Sequence, residues 1–300
     1  MRSNVTSIEQ YLEDVDQSPT ALGLMLAKRL KELREEAGVS SSFAAKAIGV
    51  SASQVSRLES GKRRWNEEDL VAALRTYGVG SKEDHLARRL LRASAKPEWT
   101  ASFRPDVLPE WFELFVGLES AARQIRLFET RAVPGLLQCD SYAQAIVEGD
   151  AMGAASLARR RLRLRKARQE QVFRRNGPLV WVVLEEGVLY RQFGDRHVMR
   201  EQMLHLKHLA ESDPQVKVQI LPTNAGVSRP SGSFTYLRFN LEGISDKVYT
   251  ESPAGATYYD DADAVERHKK TIDRLVSSAL DGEEIPALLG KAVQSFENIS

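Results

Sequence analysis

The 22 residues from Ser40 to Gly61, SSSFAAKAIGVSASQVSRLESG, constrain this chain more than any other stretch. Ala44, Ala45 and Ile48 make the apolar side of a short helix, and Gly49 comes next, where a sharp left-handed turn is easiest. A second helix opens at Ser51. Ser51 and Gln54 have the spacing of a capping box, in which the serine hydroxyl and the glutamine side chain each satisfy one free end of the helix backbone. Val55 and Leu58 are this helix's inward residues, and Ala45 is small enough to let the two helices cross closely. Two such short helices cannot bury their apolar sides on each other alone, so neighbouring helices must supply the rest of a core.

The flanking sequence provides them. Leu22, Leu26, Leu30, Leu33 and Ala37 recur at steps of three and four and stop at Gly38, which is helical periodicity with a terminator. Similar patterns run over 67 to 77 and 82 to 94, before Lys96-Pro97 breaks the series. The expectation is an all-α, five-helix domain over residues 21–96. Residues 1–20 show no periodicity and end in Ser18-Pro19, and read as a flexible arm. Residues 97–108, rich in proline, read as a linker.

The Ser40–Gly61 spacing resembles the helix-turn-helix of Cro/repressor-type (XRE family) transcriptional regulators. Ala44-Ala45, Gly49, Ser51, Val55, Ser56-Arg57-Leu58, Glu59 and Gly61 carry the resemblance. It implies that the second helix enters the major groove of operator DNA with its N-terminal residues on base edges. Carried over by position, Ala52, Ser53 and Arg57 face the bases. Arg57 has the chemistry to donate bidentately to guanine, Ala52 to touch a thymine methyl and Ser53 to bond either base type. Gln54 either reaches a phosphate or serves only its cap. Ser41 stands where the family often has a glutamine that contacts phosphate or the first base. Lys62, Arg63 and Arg64 stand where family members present cations to the backbone, contacts that position the protein without specifying sequence. Arg34 and Glu59 occupy positions that often form a partly buried ion pair, a structural role.

Charge distribution agrees with one DNA-facing segment. The chain's net charge is only +1, but residues 21–96 hold 15 Lys and Arg against 9 Asp and Glu, which leaves the remainder acidic. No apolar run approaches the roughly 18 residues that cross a bilayer. The acidic, polar start MRSNVTSIEQYLEDVDQ lacks the apolar core of a secretory signal, so a cytoplasmic location is expected. The single cysteine, Cys139, has no partner for an internal disulfide and reads as a small core residue.

Beyond Pro109 the pattern turns mixed. Helical stretches at 109–121, 140–149, 154–175, 196–211 and 261–281 alternate with strand-like runs at 123–129, 179–184, 216–221, 233–239 and 247–251, an α+β domain over 109–300. The phrases Leu108-Pro109-Glu110-Trp111 and Val133-Pro134-Gly135-Leu136-Leu137-Gln138 resemble the C-terminal domain of WhiJ-like actinobacterial regulators. That resemblance implies transcriptional regulation, often beside a small protein encoded nearby in an arrangement likened to antitoxin and toxin. It supplies no catalytic or ligand site. An alternative role is therefore an antitoxin-like protein that sequesters a small partner and regulates its own promoter. A homodimer on an inverted repeat is expected, because one short recognition helix reads few base pairs.

Enzyme chemistry finds little support, and neither cofactor nor metal is expected. Glu201, His205 and His208 share a helix face like a metal comb, but no cysteine or HExxH pairing joins them. Glu185-Glu186 at a strand-to-helix junction fits a helix cap. No nucleophile elbow, P-loop or dinucleotide fingerprint occurs. The run RRRLRLRKAR, Arg159 to Arg168, holds seven basic residues in ten. Its interleaved leucines point to a helix partly buried against its own domain or an acidic partner, not to direct DNA contact.

Overall fold

The computed structural model describes residues 5–14, 17–150 and 154–297. It divides into two compact units: one holds the chain up to Ala101 together with Phe239–Ser245, the other Ser102–Arg238 and Asp246 onward.

The first unit is all helical: α1 (Ile8–Leu12), α2 (Pro19–Glu36), α3 (Ser41–Ile48), α4 (Ala52–Glu59), α5 (Glu67–Tyr77) and α6 (Ser81–Ser94). Its core is the set of apolar stripes those helices turn inward, including Leu22, Met25, Leu30, Leu58, Leu70 and Leu90, all fully buried. The five helices read from periodicity are α2 to α6. Of the flexible arm expected over residues 1–20, the described residues 5–14 and 17–20 are ordered, while 1–4, 15 and 16 lie outside the described residues. Ser7 and Gln10 close a capping box on α1, and Ile8 and Tyr11 are buried. Thr6 bridges Leu241 in parallel fashion, with its N–H donating to the Asn240 carbonyl at 2.9 Å. A five-residue helix offers too little repeat for periodicity to reveal, and its partner lies more than 200 residues away. The linker reading also needs correction, because Glu98 is buried and accepts from the Ser18 hydroxyl at 3.1 Å and the Thr20 N–H at 2.8 Å. Ser18 in turn caps α2 and starts it at Pro19.

The second unit is α+β. In chain order it contains α7 (Glu110–Ala121), β1 (Gln124–Glu129), α8 (Asp140–Asp150), α9 (Ala155–Val172), β2 (Leu179–Glu185), α10 (Arg196–Ser212), β3 (Val216–Leu221), β4 (Phe234–Arg238), β5 (Lys247–Ser252), β6 (Gly255–Tyr259), α11 (Ala262–Ser278) and α12 (Glu284–Glu297). Short 3-10 turns, among them Gly135–Leu137, join some of these. The strands form one sheet in the order β3-β2-β1-β4-β5-β6. β1, β2 and β3 run parallel, with Phe128 beside Val183, while β4 to β6 are antiparallel. Helical crossovers are what parallel neighbours require, and α8–α9 and α10 supply them.

One sheet face packs Phe128, Val183, Phe234, Tyr236 and Val248 on Ile272 and Leu275 of α11. On the other, Phe115 of α7 stacks on Tyr249 at 4.1 Å between ring centres. β6 and α12 escape the sequence reading for local reasons. β6 is an edge strand joined to β5 across Pro253-Ala254, half exposed and without alternation. α12 carries Pro286 and Gly290, which read as breakers, yet Ile285, Leu289 and Ala292 are buried. No helix among the described residues is long and apolar enough to cross a membrane.

Candidate nucleic-acid interface

The two helices of the motif are fixed by their own ends. The Ser40 hydroxyl accepts from the Phe43 N–H and opens α3, and Gly49 closes it at φ 81°. The Ser51 hydroxyl accepts from the Gln54 N–H at 3.2 Å, while the Gln54 side-chain carbonyl accepts from the Ser51 N–H at 2.8 Å. The capping role read for Gln54 is formed. Inward, Val55 and Leu58 are fully buried. Outward, Ala52, Ser53, Ser56 and Arg57 are exposed.

The far end of α4 is held from α2 and from the segment that follows α4. Arg34 of α2 donates to Glu59 twice, Nε to Oε1 at 2.6 Å and Nη2 to Oε2 at 3.0 Å, and also to the Val39 carbonyl at 2.8 Å. Both side chains are more than nine-tenths buried. The hydrogen bond to Glu59, opposed in part by burial, raises the Arg34 pKa above its ordinary value and keeps the guanidinium charged. Beside the pair, burial pushes the Tyr77 phenol up to about 12, so it stays neutral. The Trp65 indole N–H donates to the Leu58 carbonyl at 3.2 Å. Gly61 turns the chain at φ 72°, a conformation that favours glycine, and a Cβ there would fall 2.2 Å from a Leu24 methyl and push it out of place.

The basic tripeptide after α4 is not uniform. Lys62 and Arg64 are exposed. Arg63 is half buried, and its guanidinium donates to Asp69 at 3.3 Å, a carboxylate that also accepts from the Asn66 side chain. Ser41 lies half buried on the first turn of α3. Ser53 shares its hydroxyl with Ser51 at 3.0 Å. One outward face of α4 thus presents small residues at its N-terminus and a cation one turn on, and Arg64 and Lys62 stand exposed beyond its end. Sequence reasoning missed Trp65 and the Asn66–Asp69 pair that clasp this end. A tryptophan six residues after Glu59 was the available signal.

Other residues singled out in the sequence fall elsewhere. Glu185 pairs with Arg229 at 3.0 Å and Glu186 accepts from the Thr223 N–H. Neither makes a side-chain cap, so the cap reading of these acids is corrected. No cluster able to hold a metal occurs among the described residues. In α9, Arg168 turns inward to Glu119 and Arg160 pairs with Asp106 at the surface, whereas Arg159, Arg163 and Lys166 are exposed. Cys139 is not a core residue: it is half exposed.

A helix-turn-helix whose second helix offers an exposed polar and basic face, joined in one chain to an α+β unit, is the make-up of a DNA-binding regulator. A family model described as a helix-turn-helix domain matches residues 25–92. A second, described as a domain of unknown function (DUF5753), matches residues 112–291, more than half of the chain, which therefore belongs to the DUF5753 family. Comparison with curated proteins and with solved structures found no match.

Proposed function

We propose that this chain is a sequence-specific, cytoplasmic transcriptional regulator of the Cro/repressor type. Its α4 reads operator DNA in the major groove, and its WhiJ-like second unit serves dimerisation and receives an effector or a small partner protein. The observation that supports this reading most directly is the pairing of an exposed Arg57 with a rigid mount. The helix that carries it is capped at one end and clasped at the other by Arg34 and Trp65, so the guanidinium is presented from a fixed frame. Ala52, Ser53 and Arg57 face base edges in this reading. Ser41, Lys62 and Arg64 contact phosphate, with Gln54 kept at its cap. Arg63 contributes less than its neighbours, because a phosphate must compete with Asp69 for it. A closed twofold dimer would set two α4 helices about 34 Å apart on an inverted repeat.

Binding curves on cognate operator and on random DNA test the core of this reading. Arg57→Ala weakens operator binding by about 1–3 kcal/mol and leaves random DNA nearly unchanged. Arg64→Ala weakens both and flattens the dependence of log affinity on log salt by about one unit. An equal loss on both DNAs for Arg57→Ala makes Arg57 a phosphate contact and refutes its role in base reading. Light scattering of the free protein with footprinting on its own promoter tests the dimer, and a monomer protecting one asymmetric site overturns it.

A further inference from the structure

In the second unit, the turn after β1, the start of α8, the C-terminal half of α9 and the middle of α10 enclose an open cavity of about 400 Å³. That volume falls within the range of small-molecule sites. The wall is mainly apolar: Leu136 is buried beneath it, and Phe173 and Leu209 line it as half-exposed side chains. Phe173 has no ring partner among the described aromatic pairs.

The polar lining divides into groups already engaged and groups left open. The Gln169 amide donates to the carbonyls of Gly135, Leu136 and Gln138, and the Gln138 amide donates to the Val133 carbonyl while its oxygen accepts from Arg165. These two glutamines build the wall and have little left for a ligand. His205 and Asp140 differ: among the described residues neither side chain has a hydrogen bond or ion pair. Burial, with His208 nearby and the Asp140 charge opposing in part, lowers the pKa of His205, so its imidazole is neutral at pH 7 and offers one donor and one acceptor. Asp140, exposed at the mouth, carries the only formal charge of the lining.

We propose that this cavity is the effector site of the second unit and that it takes a small aromatic amine, the ring on Phe173 and Leu209 and the ammonium at the Asp140 carboxylate. A carboxylate ligand would meet like charge at the mouth, and a purely apolar one would use neither the imidazole nor the carboxylate. This inference rests on the reading that the second unit receives a signal, and it supplies the chemical class of that signal.

Cys139 lines the same cavity and is the chain's single cysteine, so its alkylation reports occupancy. The full-length protein is treated with N-ethylmaleimide in the presence of 2-phenylethylamine, 2-phenylethanol or 3-phenylpropionate at millimolar concentration, without DNA. The amine is expected to slow alkylation, with an apparent affinity about three- to fivefold above that of the alcohol, the scale of an exposed ion pair, and the acid to protect least. Asp140→Asn brings amine and alcohol level. Leu209→Trp fills the cavity and removes protection by both, and melting curves establish that each variant is folded. If Asp140→Asn does not fold, the ranking of the three probes on the native protein decides alone. Absence of protection by every probe, best protection by the acid, or protection surviving in Leu209→Trp overturns the proposal. Operator binding by the same preparation, measured separately, shows whether a failure belongs to this site or to the DNA-binding reading.

Discussion

Each unit buries an arginine–glutamate pair, and the two pairs are built in opposite ways. In the first unit Arg34 and Glu59 are 25 residues apart and join two nearby parts of one helical array. Their positions are set by helix lengths and turns that the local sequence dictates. In the second unit Arg168 of α9 donates to Glu119 of α7 across 49 residues, at 2.5 and 2.7 Å, and Glu119 is wholly buried. That guanidinium also lies over the rings of Phe112 and Phe115 at 5.4 and 5.3 Å. A strand and a helix separate the halves of this pair, so it forms only once the sheet and its crossovers are in place. The first pair fixes a helix that stays presentable, while the second is interior scaffolding.

The largest expected effect comes from breaking the deeper pair. Arg168→Ala leaves Glu119 charged and buried without a partner and removes two cation–π contacts, so the second unit loses about 5 kcal/mol, the upper end for such a deletion. Hydrogen–deuterium exchange resolved by peptide reads each unit separately, and protection unchanged over residues 110–129 would refute this. Replacing both partners by apolar residues of similar volume should restore most of the loss.

Arg34→Ala is the matching break in the first unit. Glu59 is left unpaired, and about 3 kcal/mol is lost, with faster exchange over α2 and α4 and a parallel fall in affinity for all DNA. A change confined to operator DNA would give Arg34 a part in base reading and remove the contrast with Arg57.

A third effect, comparable in size with the loss from Arg34→Ala, is one of pH. Burial, helped by the Glu251 charge and opposed by a Ser233 hydrogen bond, pushes the Glu129 carboxyl from its ordinary 4.5 up to about 7. The folded form therefore holds its proton more tightly than the unfolded form. Stability of the second unit falls as pH rises from about 4.5 to about 7 and is level above that window. Urea unfolding across the window checks it: Glu129→Gln should flatten the slope, and an undiminished slope assigns it to another group.

The helices of the first unit were readable because each carries its own punctuation: Gly38, Gly49 and Gly78 end α2, α3 and α5, and Ser40 and Ser51 start α3 and α4. Five of the six strands were readable from β-branched and aromatic runs. The exceptions, α1, β6 and α12, lack a long repeat or contain residues that normally interrupt one.

Sequence by itself determined the helix-turn-helix, the outward placement of Arg57, Lys62 and Arg64, and the α+β character of the C-terminal two thirds. These depend on periodicity, capping and turn chemistry within a few residues. Tertiary structure alone decided that Cys139 and His205 line one cavity, that residues 239–245 join the first unit, and that Arg168 and Glu119 meet in the interior. Those outcomes depend on which distant segments compete for the same buried space and the same charge, and no local pattern encodes that competition.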